Sequence, residues 1–132
     1  MANAKDMPGV VFREGSAVLL ARIVDADDSP VTQISLASAS YTIFQLDPRS
    51  PNERTVVPGH DNASLTISVV LFDTLQTGPP WNVDATGYNF RHEIDITTDQ
   101  AFAEAGAVYQ VRYELTPVDG QPIVFRFQLW CI

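Results

Sequence analysis

Two long alternating runs, Ala107–Pro117 and Gln121–Ile132, joined by Val118-Asp119-Gly120, constrain the fold of this chain more than any other feature. In the first run Tyr109, Val111, Tyr113 and Leu115 share one face while Gln110, Arg112 and Glu114 share the other, the period-two signature of a half-buried strand. Ile123, Phe125, Phe127 and Leu129 alternate in the same way with Val124, Arg126 and Gln128. An Asp-Gly step between two such runs predicts a hairpin, because the turn requires positive φ and glycine accepts it without a steric penalty. The chain is therefore expected to be all-β.

The upstream sequence repeats the pattern at short spacing. Ser16–Asp27 holds the run Val18-Leu19-Leu20-Ala21, apolar on both sides, as expected for a strand covered on two faces or one passing from one sheet to another. Asp25-Ala26-Asp27-Asp28-Ser29-Pro30 then reads as a turn. In Ala39–Leu46, Tyr41, Ile43 and Gln45 oppose Thr42, Phe44 and Leu46, and further on Leu65, Ile67 and Val69 alternate with Ser64, Thr66 and Ser68. Asp73–Asn89 is the longest stretch without a pattern, and Phe90, His92, Ile94 and Ile96 alternate after it. One helical turn is expected in Thr98–Glu104, opened by Thr98 or Asp99 and ended at Gly106. About seven short strands separated by Gly, Pro and Asp predict a β-sandwich over residues 12–132, preceded by an N-terminal arm at 1–11.

At 132 residues the chain suits one domain with a core of its own, and its single cysteine, Cys131, has no internal partner to bridge. A net charge of -8 disfavours a general nucleic-acid binder and, taken over the whole surface, favours a basic or neutral partner. No apolar run reaches the ~18 residues of a membrane span. Met1–Pro8 carries no apolar stretch after Lys5, so synthesis in the cytoplasm is expected, with no membrane partner.

Catalysis needs a nucleophile with its base, paired carboxylates, or a metal with several ligands, and no spacing in the sequence signals any of these. His60 falls in a turn and His92 on a strand, without a metalloprotease-type spacing or a Gly-rich phosphate loop around them. An enzyme is not expected, nor a cofactor. Asp25, Asp27 and Asp28 form the densest carboxylate cluster and are the candidate Ca²⁺ ligands, but the glycine and distal glutamate of a calcium loop are missing and a turn that discourages edge-to-edge pairing explains the same residues, so no metal is expected. Trp81 and Tyr88, on the patternless stretch, are candidates for recognition, since aromatic side chains present large area at low entropic cost. Trp130 makes the second face of the last strand partly apolar with Val124 and Ile132, around Arg126 and Gln128. Such a face is expected to meet another layer, within the fold or on a neighbour.

Phe12-Arg13-Glu14-Gly15, followed by Val18-Leu-Leu-Ala-Arg-Ile-Val-Asp-Ala-Asp-Asp-Ser-Pro-Val31, resembles the opening of immunoglobulin-like domains in tailed-phage structural proteins, including baseplate upper proteins. There a first strand leads into Asp-x-Asp-Gly-x-Pro-Val; this chain has Asp28 at the glycine. Gly106-Ala-Val-Tyr109-Gln-Val-Arg-Tyr113 resembles the penultimate strand of such modules, whose first tyrosine ties down the preceding corner through its hydroxyl. The resemblance implies a virion protein, of the head decoration type or otherwise from tail or neck, that adheres to other virion proteins and to itself. The alternative is a bacterial surface or secreted immunoglobulin-like module binding carbohydrate or protein.

Overall fold

The computed structural model describes residues 7–24, 29–47, 49–50, 53–79 and 87–132. Its larger sheet contains β1 (Met7–Val11), β3 (Leu36–Leu46), β4 (Arg54–Val56), β5 (Ala63–Ser64), β8 (Val108–Pro117) and β9 (Ile123–Cys131). These run in the order β1-β9-β8-β3-β4, with β5 also paired to β3. The second sheet is β2 (Val18–Ala21), β7 (Tyr88–Glu93) and β6 (Leu71–Gln76), in the order β2-β7-β6. The chain crosses between the layers and buries their facing sides against each other, which makes the expected all-β sandwich.

The C-terminal hairpin forms as its pattern requires. Its register runs from Val108↔Trp130 to Leu115↔Ile123, and Gly120 holds φ +109° in the turn. Tyr109, Val111, Tyr113 and Leu115 all lie in the core. Antibody domains place a half-cystine two residues after the corner tyrosine. Here that position is Val111, fully buried, and aromatic rings hold the layers together. Phe90 from the second sheet meets Tyr113 and Phe125 edge-on at 4.9 and 5.0 Å.

Several stretches differ from expectation. Residues 7–11 are not part of an arm: β1 pairs parallel with β9, from Met7↔Phe127 to Val11↔Cys131, and Val11 enters the core. Pro8 and Gly9 masked this strand as a breaker signal. A Cβ at position 9 would stand 2.8 Å from Leu129 Cδ2, so a larger residue there would displace the end of that side chain. The alternation at 64–69 is not one strand, because β5 ends at Ser64 and a single helical turn, α1 (Ile67–Val70), carries the chain across to β6. The crossing lets Val70 and Leu71 both point inward, which a regular strand forbids. β6 and β7 take the two ends of the stretch expected to lack a pattern. No helical turn forms at 98–104; consecutive Ala101 and Phe102 are both buried there and close one end of the sandwich.

Candidate protein interface

The outward face of the larger sheet is set by the same alternation that builds the core. Val108, Gln110, Arg112 and Glu114 of β8 point out beside Val124, Arg126, Gln128 and Trp130 of β9. Register then aligns one apolar residue on each of four adjacent strands: Leu46 opposes Val108, Val108 opposes Trp130, and Trp130 opposes Val10. Val10 is 65% and Trp130 56% exposed, and Phe12 and Ile132 extend the row past the ends of β1 and β9. Backbone bonds from Ile132 N to Val11 O and from Arg13 N to Ile132 O, both 2.9 Å, hold those two ends together. A cleft of ≈ 260 Å³ lies between Pro8, Gly9, Val108, Gln128 and Trp130. Contiguous exposed apolar surface of this kind marks interaction sites.

Beyond the row the face carries arginines. The Arg54 guanidinium lies 4.3 Å from the Phe44 ring centroid and donates to Gln110 Oε1 at 2.9 Å, so Phe44 and Gln110 are covered. Arg112 and Arg126 are directly opposed across β8 and β9, with Glu114 3.6 Å from Arg112. The outward strand positions thus carry Arg54, Arg112, Arg126 and Glu114.

Trp130 and Arg126 share this face. Tyr88 does not: it lies on β7 of the other sheet, with the Arg22 guanidinium 5.1 Å from its ring centroid and Arg22 Nε donating to Gly87 O at 2.8 Å. Trp81, Asp25, Asp27 and Asp28 lie outside the described residues. Sequence reasoning missed Val10, Leu46 and Val108 as members of the row. Leu46 and Val108 were visible as apolar residues out of phase at strand ends, whereas Val10 acquires its place only through the long-range β1–β9 pairing.

Both histidines belong to the core. His60 Nε2 donates to the Asp99 carbonyl at 2.9 Å, since a carbonyl can only accept, and its Nδ1 shares a 2.7 Å hydrogen bond with the Tyr41 hydroxyl. His92 Nδ1 shares a 2.7 Å hydrogen bond with the Tyr113 hydroxyl, and its ring packs 4.8 Å from Tyr41. Burial, then the nearby His60, lowers the His92 pKa to about 4. These hydrogen bonds occupy both ring nitrogens of His60 and Nδ1 of His92. Among the described residues no three of His, Cys, Asp and Glu come together. A cleft of ≈ 430 Å³ between β1 and β2 is walled by residues such as Val11, Leu19 and Phe127, with no Asp, Glu, His, Lys or Arg in its lining.

No family model matches the chain, and neither the curated proteins nor the solved structures contain a match to it.

Proposed function

We propose that this chain is a non-enzymatic structural protein of a tailed-phage particle, a capsid decoration protein or otherwise a tail or neck component, that attaches through the outer face of its larger sheet. The observation that carries the reading is the apolar row Leu46–Val108–Trp130–Val10. A β-strand residue advances about 3.3 Å and neighbouring strands lie about 4.8 Å apart, so the face measures roughly 30 Å by 20 Å. That is close to the ~800 Å² per partner of a specific interface once side-chain relief is included. Trp130 supplies an aromatic anchor, the residue type that dominates binding energy at such contacts. Many copies on one particle would turn modest single-site affinity into lasting attachment.

The test is light scattering of the purified chain, alone and after mixing with phage particles assembled without it. A monomer that loads onto particles in many copies supports decoration, and a closed ring points to neck or tail. Wild-type chain that stays unbound overturns the reading.

A further inference from the structure

We infer that the free edge of β2 accepts an extended, uncharged segment of another protein as an added strand, at a site separate from the outer sheet face. The backbone decides what fits. Ile94 N donates to Ala17 O at 3.0 Å, and the register continues through Leu19↔His92 to Ala21↔Phe90. Antiparallel pairing turns the N–H and C=O of Ala17, Leu19 and Ala21 towards β7, so those of Val18 and Leu20 point the other way. Among the described residues no strand lies beyond β2, which ends the order β2-β7-β6. A row of outward donors and acceptors at every second residue is matched by one kind of ligand, another extended backbone.

The neighbouring edge is closed to the same pairing. Ile132 N donates to Val11 O at 2.9 Å, which turns the backbone groups of Met7, Gly9 and Val11 towards β9 and those of Pro8 and Val10 outward. Proline has no N–H, and on an edge strand it blocks pairing. β2 has neither a proline nor a charge in Val18–Ala21. The two edges wall the ≈ 430 Å³ cleft, whose floor includes Val11, Leu19, Phe127 and Leu129 and whose lining has no charged group. A strand placed about 4.8 Å from β2 would set alternate side chains into it, so the occupant is apolar at alternate positions. Such a segment contacts β2, the floor and the β1 wall at once. A second copy joined edge to edge would share only the 4 residues of β2, about 13 Å of strand, far short of the ~800 Å² per partner of a stable interface. Residues 1–6 of the chain itself would bring Lys5 and Asp6, charges that an uncharged cleft would have to desolvate.

Peptides of about seven residues, the length of a short strand, are selected from a random display library on the purified chain, with Val18→Lys as counter-selection. The enriched peptide should be uncharged, with apolar residues at alternate positions. Its Kd by fluorescence anisotropy should rise about 10-fold in Val18→Pro, which removes one edge N–H, and stay within about 2-fold in Val18→Thr. Trp130→Ser should bind it as wild type does. Amide hydrogen exchange needs no variant: in the free chain Val18 and Leu20 should exchange faster than Leu19 and Ala21, and the peptide should slow both. No enriched peptide, an enriched peptide that leaves exchange at Val18 and Leu20 unchanged, or edge amides already as protected as Leu19 overturns the inference. Loss of binding in Trp130→Ser would move the peptide to the outer face, and binding that appears only after residues 1–6 are removed would make the chain's own terminus the occupant; each overturns it as well. Failure to load onto phage particles, in contrast, would remove the attachment reading and leave this site standing.

Discussion

The two faces of the β8–β9 hairpin are made by the same strands and differ by one step along the backbone, yet they do opposite things. On the inner face Val111, Tyr113 and Leu115 are 0% exposed, and Tyr109 only 1%. On the outer face Trp130, with the largest apolar side chain in the hairpin, is 56% exposed beside Val10. Hydrophobicity alone does not separate them, since a valine and a tryptophan stand outside while a tyrosine and a cysteine lie inside. What separates them is whether a second layer covers the face. The inner face meets Phe90 and His92 of the three-stranded sheet, and the outer face meets no other element among the described residues. Stability and adhesion should therefore respond to different substitutions in one hairpin.

The largest effect should come from the inner face. Phe127 is buried and packs edge-on to Tyr113 at a 5.9 Å centroid separation, so Phe127→Ala should lose about 3–5 kcal/mol in chemical denaturation, through transfer and cavity terms together. An unchanged denaturation midpoint would mean that the covered and uncovered faces have been exchanged.

Acid should produce the next largest change, and only from the inner side. The folded state holds the His92 pKa near 4 against an ordinary 6.5, because burial penalises the imidazolium. A depressed folded pKa on a base means that the unfolded chain binds the proton more readily. Stability is full above about pH 6.5 and falls as the pH drops towards 4, by about 3 kcal/mol at 1.36 kcal/mol per pKa unit. Denaturation midpoints between pH 7 and 4 should trace this loss, and His92→Gln should flatten the curve over that window. A curve of equal slope in the variant would assign the acid sensitivity to other groups.

How much of this contrast is legible in the sequence depends on the range of the contacts involved. The hairpin was readable because register, turn and alternation all lie within 26 residues, Ala107 to Ile132, and agree with one another. Trp130 and Arg126 could be placed on one face from alternation alone. Two features defeated that logic. Met7–Val11 pairs with a strand more than a hundred residues away, and its Pro8 and Gly9 obey the rules of an edge strand and of close packing, which resemble loop chemistry when read locally. Residues 64–69 alternate as a strand does, yet α1 interrupts them because the chain must change layers before Leu71. His60 looked like a turn residue and is 2% exposed, since its partners Tyr41 and Asp99 are brought together only by the fold.

A smaller effect isolates the corner that starts the hairpin. The Tyr109 hydroxyl accepts from Glu104 N at 3.1 Å while its ring meets Phe102 edge-on at 5.3 Å. Tyr109→Phe keeps the ring and removes the acceptor, leaving a part-buried N–H without its partner, so it should cost about 1–2 kcal/mol. A larger loss would show that the whole 98–106 segment detaches, and hydrogen exchange at Glu104 would separate the two outcomes.

The smallest effect on stability should accompany the largest effect on attachment. Trp130 stands opposite Val10 and Val108 on the uncovered face, so Trp130→Ser should cost about 0.2–1 kcal/mol per cross-strand pair. If the row is the docking surface, the same variant should fold, melt cooperatively and fail to load onto particles, since truncating a central aromatic anchor costs 2 kcal/mol or more at roughly the hot-spot scale. Val10→Ser should behave alike but more weakly, because its exposed valine offers less area at the margin of the row. Pairing the two measurements is what gives the comparison its force. Phe127→Ala should lose folding and, through it, attachment, whereas Trp130→Ser should lose attachment with folding intact. A Trp130→Ser protein that unfolds would mean that the outer face is covered from within the chain, and the distinction between the two faces would disappear.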